Sequence, residues 1–245
     1  MAMSVNLLRK TRAGRRAETR YRELRRTWRR RVLWRFRLVV WPLMALSLLG
    51  IALPGMWRWF AGFLGGACYV FWLYLRDAVP THIERWLDGA EGERWTEKRL
   101  RPLERDGWVV AHDLEAKFGN VDHFVVGPAG VFLLDSKNWS GVVSVADGVA
   151  TVTPRENPDA AWSWPRLPGA LKRASFQNKE AIERLTGVRV FVHPVVVIWA
   201  PFDQEHVLSN GVNYVAGEFL ETWLRSLPTR LDGARIGQVS RLLTA

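Results

Sequence analysis

Two adjacent stretches without a charged residue constrain this chain more than any other feature of its sequence. Residues 38–57 are twenty uncharged, mostly apolar residues, and residues 59–75 add seventeen more after a single arginine. A twenty-residue helix is roughly 30 Å long, which matches the hydrocarbon core of a bilayer. Pro54 and Gly55 supply a break between two helices. We therefore predict a transmembrane helical hairpin over residues 38–76, whose second helix is at the short end of spanning lengths.

Two alternatives to a membrane hairpin are weaker. Helices buried inside a soluble protein rarely stay uncharged on every side. A cleaved signal peptide is disfavoured because a long charged segment precedes the first apolar stretch and a second apolar stretch follows it. Half of the 14 tryptophans lie in or beside this region, as is typical of membrane–water interfaces. The single cysteine, Cys68, excludes a disulfide framework and a cysteine-based zinc ribbon, and we interpret it as a buried apolar residue.

The net charge of +11 is concentrated at the N-terminus. Residues 1–37 contain 14 Lys and Arg and two Glu, whereas the rest of the chain carries 21 basic and 22 acidic residues. The arginines before the first helix predict a cytoplasmic tail at the inner membrane, and two crossings return residues 77–245 to the same side. Tyr21, Leu24 and Trp28 share one helical face, which favours a tail helix on anionic lipid headgroups. Nucleic-acid phosphates are the alternative anionic partner of the tail.

The pattern beyond Pro80 is typical of an α/β domain, with short Val- and Phe-rich runs between turn signals. Residues 154–169, rich in Pro and Trp, are predicted to form a loop. The order of elements predicts a mixed sheet flanked by helices. The predicted helices are 89–105, 170–186, 218–226 and 232–243, and the predicted strands are 108–113, 121–126, 131–136, 141–145, 149–153, 188–200 and 212–215.

Polar residues interrupt two of the predicted strands. Asp122 lies in the second strand, and Asp135 and Lys137 end the third, where alternation places both side chains on one face. An unpaired carboxylate in a sheet is costly, so these residues suggest a site. Two carboxylates can hold a hard divalent cation, and a lysine can position a nucleophile or stabilise developing charge. Taken singly, Asp122 could instead cap a turn with Asn120, and Asp135 could form a surface ion pair with Lys137.

The preceding helix offers one more carboxylate. Glu93 lies within roughly 50° of the midline between Leu100 and Leu103, the helix face expected to pack on the sheet. Glu91 and Glu97 point away from that midline. We therefore predict that Glu93 joins the site.

Five separated motifs then occur in a recognisable order. They are Gly89-x-x-Gly92-Glu93, Gly119-Asn120-Val121-Asp122-His123, Gly127-Pro128-x-Gly130-Val131-Phe132, Asp135-Ser136-Lys137-Asn138-Trp139-x-Gly141 and Gln177-Asn178. Over about residues 85–200 they resemble the NERD domain, the nuclease-related domain. The resemblance implies a PD-(D/E)xK nuclease-like fold with an α-β-β-β-α-β core. It also implies a metal set of Glu93, Asp122 and Asp135 for Mg²⁺ or Mn²⁺, with Lys137 and Gln177 completing the active site.

Two functions follow as hypotheses. The first is a membrane-anchored, metal-dependent phosphodiesterase that acts on DNA, with RNA as the weaker alternative for its substrate. The second is a catalytically inactive nuclease-like module that binds nucleic acid or protein, which the near-neutral charge of the soluble part favours. A purely structural membrane protein leaves the acidic positions unexplained. We interpret His123 as a packed histidine; Trp139, Trp162 and Trp164 could stack bases, although packing is the commoner role of tryptophan.

Overall fold

The computed structural model describes residues 12–50, 52, 54–116 and 119–244. The chain divides into two compact units, one of residues 18–87 and one that joins the described residues up to Ala17 with those from Asp88 onward. The helices are α1 (Arg15–Gly50), α2 (Met56–Asp77), α3 (Thr81–Arg105), α4 (Leu167–Thr186), α5 (Leu220–Ser226) and α6 (Gly233–Thr244). The strands are β1 (Val109–Ala116), β2 (Gly119–Gly127), β3 (Gly130–Lys137), β4 (Val142–Ala146), β5 (Val149–Thr153), β6 (Trp162–Ser163), β7 (Val192–Ile198), β8 (His206–Ser209) and β9 (Val212–Ala216).

Within residues 18–87, α1 and α2 pack against each other as an antiparallel hairpin. The hydroxyl of Ser47 donates a hydrogen bond to the carbonyl of Ala61, and the rings of Phe36 and Phe71 meet edge to face at 6.2 Å between centroids. A Cβ on Gly50 would lie 2.6 Å from the Cβ of Ala61. Small residues therefore permit the close approach of the two helices, as they do between helices in membranes.

The apolar side chains of this hairpin are largely exposed. Trp41 of α1 exposes 57% of its surface and Phe63 of α2 exposes 76%. Among the described residues, α1 is the one helix whose length and composition suit a membrane crossing, and 11% of its apolar stretch is buried. Signal sequences near an N-terminus meet the same criterion. The predicted second transmembrane helix corresponds to α2, which does not meet it.

The predicted boundaries of the anchor need correction. The first predicted span, residues 38–57, is interrupted, because α1 ends at Gly50 and α2 begins at Met56. Gly55 has a φ of 71°, a left-handed conformation that a helix does not continue through. At the other end, α1 begins at Arg15, so the described part of the predicted tail and the first predicted span share one helix. Positions 1–11, 51 and 53 of these predictions lie outside the described residues.

The second unit is built on a six-stranded sheet of order β1-β2-β3-β7-β9-β8. Strands β1, β2 and β3 are antiparallel neighbours, and β3, β7 and β9 are parallel. On one face, Leu100 and Leu103 of α3 pack with Phe132 of β3. On the other face, Ile182 of α4 packs with Leu133 of β3. The mixed sheet flanked by helices is confirmed, and β3 lies at its centre with a helix on each side.

Two strands were not expected from the sequence. The predicted loop at 154–169 contains β6, which pairs with β5 in a separate three-stranded sheet, and also the first turn of α4. Strand β8 lies at the edge of the main sheet, beside β9. Both are short and partly exposed, so they lack the apolar runs that identify the inner strands. The prediction of a turn at Gly119 and Asn120 is wrong, because both residues belong to β2.

The hairpin packing predicts that glycines on α2 differ in tolerance to substitution. A Cβ on Gly65 would lie 3.2 Å from the Cβ of Ser47, whereas one on Gly62 or Gly66 would meet nothing within 4 Å. Gly65→Leu should lower the free energy of unfolding in detergent micelles by about 1–3 kcal/mol through overpacking. Gly62→Leu and Gly66→Leu, measured in the same denaturant titration, should have little effect. Equal losses in all three variants would contradict the packing.

Candidate active site

Strand pairing brings three of the predicted residues together. In the antiparallel register of β2 and β3, His123 lies opposite Leu134, so Asp122 and Asp135 form the next pair along. The backbone N–H of Ser136 donates to Asp122 Oδ2 at 2.9 Å. Lys137 Nζ lies 2.8 Å from Asp135 Oδ1. Asp122, Asp135 and Lys137 therefore meet at the C-terminal end of β3.

These groups are largely buried and interact through their charges. The side chains of Asp135 and Lys137 expose 19% and 20% of their surface, so their ion pair is not the surface contact considered as an alternative. Burial raises the pKa of Asp122 well above its ordinary value, and the charge of Asp135 raises it further. Burial alone would lower the pKa of Lys137, but the carboxylates around it, Asp135 first, outweigh burial and raise it. Lys137 is therefore a charged ammonium among carboxylates.

Glu93 of α3 belongs to the same electrostatic group. Burial raises the pKa of Glu93 to about 7, with the charge of Asp113 as the next cause. Lys137 lowers this pKa and Asp135 raises it, so Glu93 lies within electrostatic reach of both. Its Oε2 accepts a hydrogen bond of 2.8 Å from the backbone N–H of Gly14. Glu93 thus lies where the helix geometry predicted it, but its carboxylate is bound by the N-terminal segment.

This N-terminal contact was not expected from the sequence. The N–H of Ala13 donates to Glu97 Oε2 at 3.2 Å, and the N–H of Arg16 donates to Asp113 Oδ2 at 3.3 Å. The Arg16 Nε also lies 3.3 Å from Asp113 Oδ1. Residues 12–17, the first described residues of the predicted basic tail, therefore belong to the α/β unit. Their backbone N–H groups and one guanidinium partly neutralise the acidic region, as the N-terminal end of a helix can.

Asp113 is a site residue that sequence reasoning missed. It has a φ of 56°, and its side chain exposes 8% of its surface while acting on Glu93. Aspartate tolerates the left-handed conformation better than most residues. The available signal was an acidic residue two positions after the apolar run of residues 108–111.

A divalent cation suits this donor set in part. Asp135 Oδ2 is buried without a hydrogen-bond partner, and the pKa values of Asp122 and Glu93 are raised by burial first and by neighbouring carboxylates next. Oxygen ligands with uncompensated negative charge are what Mg²⁺ and Mn²⁺ prefer. In residues 12–50, 52, 54–116 and 119–244, however, no three His, Cys, Asp or Glu side chains are grouped closely enough to hold an ion as they stand. Asp122 and Asp135 offer the carboxylate oxygens that such an ion needs, whereas Glu93 Oε2 is bound by the Gly14 N–H.

Gln177 is placed less closely than the other predicted residues. It lies half-buried on α4, which packs on the sheet face of Leu133. Asp135 and Lys137 share that face by strand alternation. In the described part of the chain, no hydrogen bond joins Gln177 to the four charged residues. Its role stays a prediction.

The opposite face of β3 carries a buried chain of polar groups. His123 is fully buried, with its Nδ1 2.7 Å from His112 Nδ1 and its Nε2 3.1 Å from Ser136 Oγ. Ser136 Oγ lies 2.8 Å from Thr96 Oγ1, which also accepts a hydrogen bond of 2.8 Å from Trp199 Nε1. Burial, and then His112, keep the pKa of His123 well below its ordinary value. His123 is therefore a neutral packed residue, as interpreted from the sequence.

The hydrogen bonds among these polar groups have one consistent donor-to-acceptor direction. Thr96 gives its proton to the carbonyl of Gly92, so the Ser136 hydroxyl must donate to Thr96. His123 Nε2–H then donates to Ser136, and its unprotonated Nδ1 accepts from His112. The network fixes the tautomer of His123 and holds β3 at the residue whose backbone N–H binds Asp122.

Comparison with known proteins agrees with the geometry. Residues 88–199 match the sequence model of NERD, a family described as the nuclease-related domain. The match supports a nuclease-related domain in this part of the chain. All five predicted site residues and Asp113 lie within it. An uncharacterized protein of Bacillus anthracis is 27% identical over 84 residues, which cover 32% of this chain and 39% of that relative. The similarity thus spans less than half of either protein, and no solved structure matches the chain.

The raised pKa of Glu93 predicts a pH dependence of stability. Its ordinary value of 4.5 applies when unfolded, whereas the folded value is about 7. Protonated Glu93 stabilises the folded chain fully at pH values below its pKa in the unfolded chain. This stabilisation is lost as the pH rises through the pKa of Glu93 in the folded chain. Between pH 5 and 8 the free energy of unfolding of the metal-free chain should fall by up to about 3 kcal/mol from this group.

Glu93→Gln, which cannot ionise, should remove that part of the slope in denaturant titrations repeated at each pH. Glu84→Gln, at an exposed position of the same helix, should leave the slope unchanged. If Glu93→Gln followed the unmodified chain at every pH, Glu93 would not be the responsible group.

Proposed function

We propose that the α/β unit is a metal-dependent nuclease that hydrolyses phosphodiester bonds of DNA. The observation that carries this proposal is the grouping of Glu93, Asp122, Asp135 and Lys137 within electrostatic reach of one another. The grouping lies in the segment that matches the nuclease-related family. Structural ion pairs need one carboxylate per cation, whereas here three carboxylates surround one ammonium.

The residues divide into two roles in this proposal. Asp122 and Asp135 hold Mg²⁺ or Mn²⁺, and Glu93 adds a third carboxylate. The ion, when bound, polarises a phosphoryl oxygen and lowers the pKa of its water. Lys137 orients the attacking oxygen or stabilises negative charge at the phosphate. Gln177 is the remaining polar candidate on the helix that covers this face.

A second candidate is an inactive module that keeps the nuclease-like fold for binding. Two observations favour it. Glu93 is occupied by the Gly14 N–H, and residues 38–245 have a net charge of −1, which is a poor footprint for a polyanion. In this proposal the arginines of residues 1–37 bind DNA or anionic lipid, and the domain binds nucleic acid or a protein.

We further propose that the hairpin of α1 and α2 anchors the protein in the inner membrane. Three observations support this: α1 is long and apolar enough to span, both helices expose large apolar side chains, and they pack through small residues. By the positive-inside rule, the arginines before the apolar stretch support a cytoplasmic position for both the N-terminus and the α/β unit. The tail arginines then lie beside anionic headgroups.

Catalysis is tested with the full chain in detergent, plasmid and linear DNA, and Mg²⁺ or Mn²⁺. Cleavage should occur with either ion and stop with chelator. Lys137→Ala should lower the cleavage rate about 10²–10³-fold because charge stabilisation is lost. Asp135→Asn should lower it at least as much because a metal ligand is weakened.

Lys98→Ala and Asp159→Asn are the matched controls, and both should retain activity. Both side chains are exposed, and neither belongs to the acidic group around Lys137. Absence of cleavage by the unmodified chain, together with no calorimetric binding of Mg²⁺ or Mn²⁺, would favour the inactive module. Cleavage that survives both site substitutions would rule out this assignment of residues.

Membrane topology is tested by labelling single cysteines in a Cys68→Ser background. A membrane-impermeant maleimide applied to spheroplasts should label Trp57→Cys, at the exposed turn end of α2. It should label Ser144→Cys, at an exposed position of β4, only after permeabilisation. Labelling of Ser144→Cys in intact spheroplasts would contradict the proposed orientation, and protection of both sites would contradict the hairpin.

A further inference from the structure

Three tryptophans form a cluster beside the candidate active site. The ring centroids of Trp139 and Trp162 are 5.9 Å apart, those of Trp139 and Trp164 are 6.3 Å apart, and those of Trp162 and Trp164 are 6.0 Å apart. Trp139 exposes 8% of its surface, but Trp162 and Trp164 expose 38% and 42%. The buried ring of Trp139 thus supports the two accessible rings of Trp162 and Trp164 by direct contact.

The accessible rings are held on regular backbone. Trp162 pairs with Val152 in the β5–β6 ladder, and the Trp164 N–H donates to the carbonyl of Ala150 at 3.1 Å. A ring fixed by sheet hydrogen bonds and by its neighbours loses little conformational freedom when a ligand stacks on it. The cluster therefore has the preorganisation of a binding surface.

The cluster adjoins the site through a charged contact. Lys137 Nζ lies 5.7 Å from the ring centroid of Trp164, within the range of a cation–π interaction. Lys137 also pairs with Asp135. A ligand that stacks on Trp164 is thereby placed next to the lysine of the candidate active site.

The segment that follows the cluster is basic. Residues 166–179, which begin two positions after Trp164, contain four basic and no acidic residues. They are Arg166, Lys172, Arg173 and Lys179. Residues 166–179 are thus locally cationic although the net charge of the domain is close to zero. Such a stretch attracts a polyanion such as a nucleic-acid backbone.

We propose that Trp162 and Trp164 form a platform on which unpaired bases of single-stranded DNA stack beside Lys137. Accessible aromatic rings next to basic residues are the features with which proteins bind single strands. Bases in a duplex are already stacked on one another, so their faces are not open to the rings. The proposal rests on the proposed nuclease function for its substrate class, because it names the form of DNA that the site receives.

The test measures binding without cleavage, so it can fail independently of catalysis. Full chain in detergent is titrated against a fluorescein-labelled 15-nucleotide thymidine strand and against a 15-base-pair duplex, with chelator present. Fluorescence anisotropy gives the ratio of the two dissociation constants. The Arg-rich tail contributes electrostatic binding to both ligands, and more to the duplex because its phosphates are denser, so the change in this ratio when a tryptophan is replaced isolates the stacking contribution. The unmodified chain should bind the single strand more tightly, relative to the duplex, than the tryptophan variants do.

Trp164→Ala and Trp162→Ala should each weaken single-strand binding about ten- to hundredfold and leave duplex binding nearly unchanged. The matched control is Trp95→Ala, because Trp95 is exposed by the same 42% and contacts a neighbouring tryptophan, Trp199, at 5.5 Å. That variant should keep the preference. If the alanine variants lose stability, Trp164→Phe and Trp164→Leu separate the roles, since only phenylalanine retains an aromatic face.

Three results would overturn the proposal. The ratio of the two dissociation constants could be the same in Trp162→Ala, Trp164→Ala and the unmodified chain, Trp164→Leu could bind the single strand as well as Trp164→Phe, or a uridine strand could bind more tightly than the thymidine strand. Loss of binding in the alanine variants alongside an absence of cleavage would retain the platform and reject the nuclease. Cleavage without any strand preference would retain the nuclease and reject the platform.

Discussion

Negative charge gathered at the end of β2 and β3 is the constraint on which the rest of this domain depends. Buried carboxylates persist only where other groups compensate their charge. Here the compensation comes from the Lys137 ammonium, from the Ser136 N–H that binds Asp122, and from the N–H of Gly14 that binds Glu93. It is incomplete, because the pKa values of Asp122 and Glu93 remain raised and Asp135 keeps a buried oxygen without a partner. The proposed divalent cation would add positive charge where this compensation falls short.

The two faces of β3 are joined at a single residue. The Ser136 N–H holds Asp122 in the acidic group, while the Ser136 hydroxyl lies in the buried chain between His123 and Thr96. Strand alternation makes this possible, since a backbone N–H lies in the sheet plane and the side chain points to one face. Each member of a buried polar chain is costly to leave unpaired, so the chain restricts the position of β3. Hydrogen bonds of the Ser136 hydroxyl on the opposite face of the sheet therefore help to fix the position of Asp122 in the acidic group.

Much of this arrangement could be predicted from the sequence, because it depends on local periodicity. Alternation in β3 placed Asp135 and Lys137 on one face, helical phase selected Glu93 over Glu97, and apolar runs identified the inner strands. Contacts between distant segments could not be predicted. Asp113 joins the site through the strand register and its left-handed backbone, and Gly14 reaches Glu93 across 79 positions of sequence. Short exposed strands such as β6 and β8 lack a periodic signal, since their pairing depends on neighbours already in place.

The Glu93 carboxylate separates the two candidate functions. As a metal ligand it must give up its hydrogen bond to the Gly14 N–H, and as an anchor for residues 12–17 it must keep that bond. Cation binding and attachment of the segment are then linked, and each weakens the other by the same factor. The strength of this linkage is limited, because two other hydrogen bonds also hold the segment. Ala13 N–H donates to Glu97, and Arg16 N–H donates to Asp113. The segment would therefore stay attached if Glu93 turned toward an ion, so in the proposed metal site Asp122 and Asp135 are the carboxylates available without breaking a contact to residues 12–17.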